Sequence, residues 1–128
     1  MFYVYIFAGI IGFFIILKQI MLFKLKKMKG KAAPRLTGKP QKAIENQKSA
    51  LFYFYSPSCG ACRSMTPVIS QLANQNDNVF KVDITEDYDL ARKFGVMATP
   101  TTILIKDKII KDVIIGPQST QKLKKMIE

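Results

Sequence analysis

The sequence predicts an α/β domain preceded by one membrane-spanning helix, and three observations support this. Over most of the chain, segments with the alternating apolar pattern of strands are separated by segments with helical spacing. Residues 1–23 are almost entirely apolar. Two cysteines, Cys59 and Cys62, directly follow the first predicted strand. A chain of 128 residues has room for one compact domain and a short appendage.

The appendage is the amino-terminal segment, which is predicted to cross a membrane once. No side chain from Met1 to Leu17 carries a charge, and beyond Lys18 the apolar run resumes as far as Phe23. A helix is about 25 Å long over 17 residues and about 34 Å over 23 residues. Residues 1–23 can therefore span a hydrocarbon core of about 30 Å if the Lys18 side chain extends to the surface.

A cleaved signal peptide is the main alternative for this segment. Signal peptides begin with positive charge and end in small residues, whereas here the basic residues follow the apolar run. The Ala32-Ala33 pair lies beyond most of that basic cluster. This order, with the basic residues after the apolar run, favours an uncleaved anchor. A buried core helix is also disfavoured, because so small a domain has little surface to cover a helix that is apolar all round.

Residues 24–40 are predicted to be a basic linker between the anchor and a domain at residues 41–128. Lysines, glycines and prolines dominate the linker. Its basic cluster is Lys24, Lys26, Lys27, Lys29, Lys31 and Arg35. Such a cluster suits anionic lipid headgroups, at about 1 kcal/mol per basic residue near the surface. By the positive-inside rule it predicts a single-pass protein with a cytoplasmic domain, and the exported side is the alternative.

Charge is distributed unevenly along the chain. Residues 1–48 carry ten basic residues and one acidic residue, a net charge of +9, whereas residues 49–128 carry ten and eight, a net charge of +2. The predicted domain is therefore nearly neutral. It shows neither the basic face nor the motifs of a nucleic-acid-binding protein, so no nucleic-acid partner is expected.

Within the domain, the segments predict the order α-β-α-β-α-β-β-α. An apolar and aromatic run forms the first strand, alternation marks the second, and the short turn Asp107-Lys108 joins the last two as a hairpin. Gly95 closes the third helix and Ser119 caps the fourth. The predicted helices are 41–48, 59–74, 86–94 and 119–127, and the predicted strands are 50–55, 79–84, 101–106 and 109–115.

The motif Cys59-Gly60-Ala61-Cys62 indicates redox chemistry. Two thiols three residues apart on a helical turn share one face and can form a disulfide. A helix amino terminus stabilises a thiolate and lowers the pKa of the first cysteine. A zinc site is the alternative, but the sequence has no histidine and no other cysteine, so the site would need a second chain. A stabilising disulfide is also disfavoured, because so short a loop constrains the unfolded chain little.

Further motifs resemble the thioredoxin family over residues from about 41 to 128. Besides the cysteine pair, they are Pro67, Lys81-Val82-Asp83, Phe94-Gly95-Val96, Thr99-Pro100-Thr101 and Gly116. The resemblance implies a thioredoxin-like fold, with a central mixed sheet flanked by helices. Because the family's first strand is missing or reduced here, about four strands are expected.

The resemblance also implies a role for each residue of the site. Cys59 would attack a substrate disulfide, and Cys62 would resolve the mixed disulfide. Pro100 would be a cis-proline facing the cysteines, and the Thr99 main chain would pair with an extended substrate. Pro67 is expected to kink the helix. No metal and no cofactor beyond the cysteine pair is expected.

Three departures from the family pattern concern the chemistry of the site. Tyr53 stands where many thioredoxins have a buried aspartate that assists proton transfer to the resolving cysteine. Ser58 replaces an aromatic residue, and Ala61 stands where proline is common. Lys81 loses its usual acidic partner. The proton acceptor for Cys62 is therefore unassigned; Tyr53 either contributes its hydroxyl or only fills the core.

These observations predict a membrane-tethered thiol–disulfide oxidoreductase. Its partners would be protein disulfides or dithiols, a redox partner that restores the pair, and membrane lipids. The alternative is a tethered binding module that holds an extended peptide or a partner protein without turnover. The intact cysteine pair and the Thr99-Pro100 sequence favour the enzyme.

Overall fold

A computed structural model describes residues 1–46 and 49–128. Its five helices and four strands are, in chain order, α1 Phe2–Met28, α2 Gly38–Asn46, β1 Ser49–Tyr55, α3 Thr66–Gln75, β2 Val79–Asp83, α4 Tyr88–Lys93, β3 Thr101–Lys106, β4 Ile109–Ile115 and α5 Thr120–Ile127. The predicted order of elements is confirmed. Gln47 and Lys48, which were predicted to continue α2, lie outside the described residues.

The four strands form one mixed sheet in the order β2-β1-β3-β4. β1 pairs in parallel with β2 and antiparallel with β3, which pairs antiparallel with β4. The hairpin turn has positive φ at both Asp107 (52°) and Lys108 (65°), the backbone of a turn that matches the twist of its strands. The predicted fold class, a four-stranded mixed sheet flanked by helices, is confirmed.

Alternating side chains of the sheet build two cores, one on each face. Phe52 and Phe54 face α2 and α4, and the Phe52 ring lies 4.9 Å from that of Phe94 between centroids. Leu51 and Tyr53 face α3 and α5 on the other side. Five successive residues of β1 are buried, because the strand is central and covered on both faces.

Helix α1 is apolar enough to be a candidate membrane span, by length and composition alone. Its most apolar window has a mean hydropathy of 2.3, and none of that window is buried against the domain. The helix continues past Phe23 to Met28, into the predicted linker. Leu25 and Met28, one helical turn apart, pack against the core on the α2/α4 face of the sheet.

Much of the predicted linker is packed on the domain. The Gly30 amide donates to the Ile110 carbonyl at 2.8 Å, and the Ile110 amide donates to the Lys31 carbonyl at 2.9 Å. The Lys29 ammonium lies 2.7 Å from the Asp112 carboxylate. Leu36 is buried in the core. The apolar residues interspersed among the lysines account for this packing, which overall composition does not reveal.

Candidate active site

The cysteine loop follows β1 at its carboxyl end. Residues 59–65 form successive turns in which each bonded amide donates to the carbonyl three residues earlier. The Cys62 amide donates to the Cys59 carbonyl at 3.3 Å, and the Met65 amide donates to the Cys62 carbonyl at 3.1 Å. The first bond of four-residue spacing runs from the Thr66 amide to the Cys62 carbonyl at 2.9 Å. The prediction that the cysteines form the first turn of the helix is therefore wrong, because α3 begins at Thr66.

The position of Pro67 explains this difference. Pro67 occupies the first turn of α3, where a missing amide hydrogen leaves no helical bond unmade. The predicted kink at Pro67 is consequently wrong, since proline kinks a helix only where it interrupts the interior. Here the proline begins the helix, and the preceding tight turns carry the cysteines.

The two cysteines are joined by a disulfide and differ in exposure. Their Cα atoms are 5.3 Å apart, and the Cys62 amide donates to the Cys59 sulfur at 3.2 Å. Cys59 is half-buried, whereas Cys62 is only 2% exposed. Gly60 and Ala61 between them are exposed. A hydrogen bond from an amide stabilises a thiolate more than a thiol.

The loop before β3 reaches the same end of the sheet. Thr101, the first residue of β3, pairs with Phe54 near the end of β1, and the Thr99–Pro100 peptide bond is cis, as predicted. The Pro100 carbonyl accepts from the Gly116 amide at 2.9 Å, and the Ala98 carbonyl accepts from the Thr101 hydroxyl at 2.6 Å. These bonds fix the loop on both sides of Thr99.

The Thr99 main chain itself is open. In the part of the chain that the structure describes, neither its amide nor its carbonyl makes a backbone hydrogen bond. An unpaired amide and carbonyl in a fixed loop can bond an extended peptide in the way that a sheet edge does. The structure thus brings Thr99 and Pro100 to the sheet end that carries the cysteine pair.

Tyr53 lies beneath the cysteine loop and is fully buried. Its hydroxyl is 3.3 Å from the Cys62 carbonyl oxygen and 3.1 Å from the Thr66 Oγ1. The Thr66 hydroxyl donates to the same Cys62 carbonyl at 2.8 Å. Tyr53 therefore holds the backbone of Cys62 from below, together with Thr66.

Burial raises the pKa of Tyr53 above its ordinary value of 10.0, opposed by the hydrogen bond with Thr66 and reinforced by the neighbouring Tyr55. The hydroxyl is consequently protonated at neutral pH and acts as a hydrogen-bond donor. It cannot replace a carboxylate as a general base near pH 7. Tyr53 therefore does both things that the sequence suggested: its ring fills the core, and its hydroxyl bonds the Cys62 carbonyl.

Two further polar groups lie near the site. Among the described residues Lys81 makes no ion pair; it donates to the Ser70 hydroxyl at 3.0 Å and lies 5.7 Å from the centre of the Tyr55 ring. The Thr102 hydroxyl, on the residue paired with Tyr53, is buried and has no hydrogen-bond partner among the described residues.

Thr66 was missed by sequence reasoning. A threonine four residues after Cys62 is the signal that points to it, because its hydroxyl can bond the carbonyl one helical turn back. Within residues 1–46 and 49–128, no group of three or more His, Cys, Asp or Glu is placed to hold a metal ion.

Comparisons with known proteins agree with this geometry. The family model described as thioredoxin matches residues 36–128. The chain is 37% identical over 78 residues to a thioredoxin from Staphylococcus saprophyticus, covering 59% of this chain and 75% of that protein. It is 34% identical over 90 residues to a chloroplastic thioredoxin from Arabidopsis thaliana, covering 68% of this chain and 47% of that one.

Among solved structures, a mutant thioredoxin from Halobacterium salinarum superposes with a TM-score of 0.61 at 33% identity, covering 77% of this chain and 94% of the other. The chain therefore belongs to the thioredoxin family. Proteins of this family are thiol–disulfide oxidoreductases that act on protein disulfides and need no cofactor beyond their own cysteine pair. The Cys59–Cys62 disulfide makes this chain a member of that class of enzyme.

The buried hydroxyl of Tyr53 makes a testable contribution to stability. Tyr53→Phe removes its hydrogen bonds and should lower the free energy of unfolding by about 1 kcal/mol at pH 7. Because folding raises the pKa of Tyr53, the stabilisation that it contributes is complete below pH 10 and is lost as pH rises through the folded-state pKa. The alkaline loss of stability should therefore be smaller in Tyr53→Phe than in the parent chain.

Urea unfolding of the full chain in detergent, followed by circular dichroism at several pH values, measures both effects. Tyr88→Phe, at an exposed tyrosine, is the matched control and should keep the parent profile. Identical alkaline profiles for the parent chain and Tyr53→Phe would contradict the assignment.

Proposed function

We propose that this chain is a membrane-tethered thiol–disulfide oxidoreductase in which Cys59 attacks and Cys62 resolves. The observation that carries the proposal is that Cys59 is half-buried whereas Cys62 is almost completely buried. The attacking thiolate must be accessible to the substrate, but the resolving thiolate need not be. The Cys62 amide, 3.2 Å from the Cys59 sulfur, supports the same assignment.

In the reducing direction, the reaction has two exchange steps. The Cys59 thiolate attacks one sulfur of the substrate disulfide, forms a mixed disulfide and releases the first substrate thiolate. The Cys62 thiol then loses its proton and attacks the Cys59 sulfur, which releases the second substrate thiolate and forms the Cys59–Cys62 disulfide. The substrate gains two electrons, and an external dithiol must restore the enzyme. The oxidising direction is the reverse.

Thr99 and Pro100 are proposed to align the substrate. The unpaired main chain of Thr99 would bond an extended segment on either side of the target cysteine, with little demand on its side chains. The buried Pro100 ring fixes the loop, and the exposed Gly60 and Ala61 leave the approach to Cys59 open.

The cysteine roles predict different trapping by two variants. Cys62→Ser retains the attacking thiolate but cannot resolve, so it should accumulate mixed disulfides with cellular proteins. Cys59→Ser should trap far less, because Cys62 is buried. Non-reducing gels of acid-quenched membranes measure the adducts. Equal trapping by the two variants would contradict the assignment of Cys59 as the attacking cysteine.

A second prediction concerns proton transfer from Cys62. Tyr53→Asp places a carboxylate beneath the loop and should speed reduction of insulin by about tenfold near neutral pH, the usual order for a positioned acid–base group. It should also destabilise the fold, because an ionisable group replaces a buried aromatic.

The assay uses the full chain in detergent with dithiothreitol as reductant, at matched folded fraction. Tyr53→Phe is the control, since it lacks both the hydroxyl and a carboxylate, and it should not exceed the parent rate. No gain for a folded Tyr53→Asp variant would indicate that the parent site already has an efficient proton path.

Residues 1–23 are proposed to be an uncleaved anchor, with the part of the basic segment 24–40 that adjoins the anchor near anionic headgroups and the domain from residue 41 in the cytoplasm. Four basic side chains support the headgroup contact, because they line one cavity of about 430 Å³ beside the carboxyl end of α1. They are Lys24, Lys27, Lys31 and Arg92.

The anchor predicts that a full-length species of 14.5 kDa stays with membranes after a carbonate wash. Immunoblotting with a carboxyl-terminal tag follows both its size and its partition, and a peripheral membrane protein removed by the wash is the control. A shorter soluble product that begins after Ala33 would instead identify residues 1–33 as a cleaved leader.

A further inference from the structure

The direction in which α1 lies along the sheet determines where the active site faces. Residues 30–33 pair antiparallel to the start of β4, with Gly30 bonded to Ile110 and Ala33 bonded to Lys108. Lys29 meets Asp112 farther along β4. Still farther along, Met21 and Leu25 line one small cavity together with Thr101, Val113 and Ile115. Helix α1 thus runs back along β4 in the opposite direction.

The end of β4 reached by α1 is the end of the sheet that carries the active site. Ile115 pairs with Thr101, and Thr101 pairs with Phe54. The cis-proline loop directly precedes Thr101, and the cysteine loop directly follows β1. Residues 2–20 of α1 therefore extend beyond this end of the sheet, over a length of about 28 Å.

This geometry sets the level of the membrane surface. Lys18 lies about one helical turn before Met21, and with its charge among the headgroups the uncharged run 1–17 remains for the hydrocarbon. Met21 lines one cavity together with Thr101 and Ile115. The sheet end with the cysteine and cis-proline loops then lies close to the headgroup layer.

Surface composition supports the same placement. Among the described residues that follow α1, three large apolar or aromatic side chains are exposed. Two of them, Tyr88 at 66% and Met97 at 70% exposure, line the cavity that Lys24 and Arg92 also line. Aromatic side chains accompanied by basic ones are typical of the membrane interface. Acidic residues also lie at this sheet end: Asp83 terminates the opposite edge strand β2, and Glu86, Asp87 and Asp89 follow it on either side of Tyr88.

We infer that the active site faces the bilayer and that its substrates are disulfides held close to the membrane surface, in proteins embedded in or bound to the same membrane. The inference rests on the proposed membrane-tethered oxidoreductase and specifies its substrate class. Because enzyme and substrate share one surface, their effective concentration is high only for cysteines within reach of the fixed site.

A depth measurement tests the orientation without any turnover. In the full chain with Cys59→Ser and Cys62→Ser, a single cysteine is introduced by Met97→Cys and labelled with an environment-sensitive fluorophore. The vesicles contain phosphatidylcholine, phosphatidylglycerol and lipid with a spin-labelled headgroup. Lys124→Cys is the matched control, because Lys124 is exposed beside Gln75 and Glu128, at the opposite end of the sheet.

Quenching should be at least about twofold stronger for the label at position 97 than for that at position 124. Tyr88→Cys gives a second position on the near side if Met97→Cys perturbs the fold. Equal quenching at all three positions, or stronger quenching at position 124, would overturn the inference whatever the protein's activity.

Two synthetic substrates test how far from the membrane the active site can reach a disulfide. Both are built on the same membrane-spanning peptide sequence. One carries a disulfide loop about five residues from the span, and the other carries it beyond a helical spacer of about forty residues, roughly 60 Å long. With the full chain in vesicles and dithiothreitol, the near disulfide should be reduced at least about tenfold faster than the far one.

Insertion of a ten-residue Gly/Ser segment after Met28 provides the control. The insertion loosens the link between the domain and α1, so the near and far disulfides should be reduced at similar rates. Equal rates for the parent chain, with insulin still reduced in detergent, would overturn the inference and leave the oxidoreductase function intact. Failure to reduce insulin in detergent would instead remove the proposed function itself.

Discussion

Burial of β1 on both faces is the constraint on which the rest of the domain depends. Five successive residues of this strand are enclosed, and alternate ones belong to different cores. The strand therefore cannot slip by one residue without moving each aromatic side chain to the opposite face. With β1 fixed, the cysteine loop leaves the sheet at one defined point, next to the cis-proline loop of the adjacent β3. Tyr53 is likewise fixed beneath that loop.

A tyrosine beneath Cys62 changes the chemistry of the site more than its shape. The hydroxyl bonds the Cys62 carbonyl, together with Thr66, so the turn is supported from below. An aspartate could accept a proton there at neutral pH, whereas a buried tyrosine remains protonated. The native arrangement thus stabilises the geometry of the loop without supplying a base. The hydroxyl of Thr102, which has no hydrogen-bond partner within residues 1–46 and 49–128, lies on the strand beside Tyr53 and adds a second neutral group to this region.

Most of the domain could be predicted from local patterns. Apolar runs and alternation located the strands, and Asp107-Lys108 located the hairpin turn. Ser119 caps α5 as predicted, accepting from the Lys122 amide. The start of α3 was misplaced, because two cysteines three residues apart lie on one face in turns with three-residue bonds as well as in an α-helix. Pro67 was the available signal, since proline is favoured in the first turn of a helix.

Several contacts between residues distant in sequence could not be predicted from local patterns. The lysine-rich composition of residues 24–40 indicated a linker, although Leu25, Met28 and Leu36 pack against the domain. The direction of α1 along β4 depends on backbone bonds between residues about eighty positions apart, which no local pattern encodes. Likewise, the contact between Tyr53 and Thr66 required knowledge of how the loop returns over the strand.

The pairing of residues 30–33 with β4 also affects how the protein behaves among its own copies. An edge strand with free amides and carbonyls can pair with the edge of a neighbouring molecule and lead to aggregation. Confinement to a membrane would increase that risk, because it concentrates the copies in two dimensions. Bonds from Gly30 and Ala33 to the start of β4 occupy part of that edge. The other edge, β2, has only five residues and carries the exposed Lys81, two features that discourage strand addition.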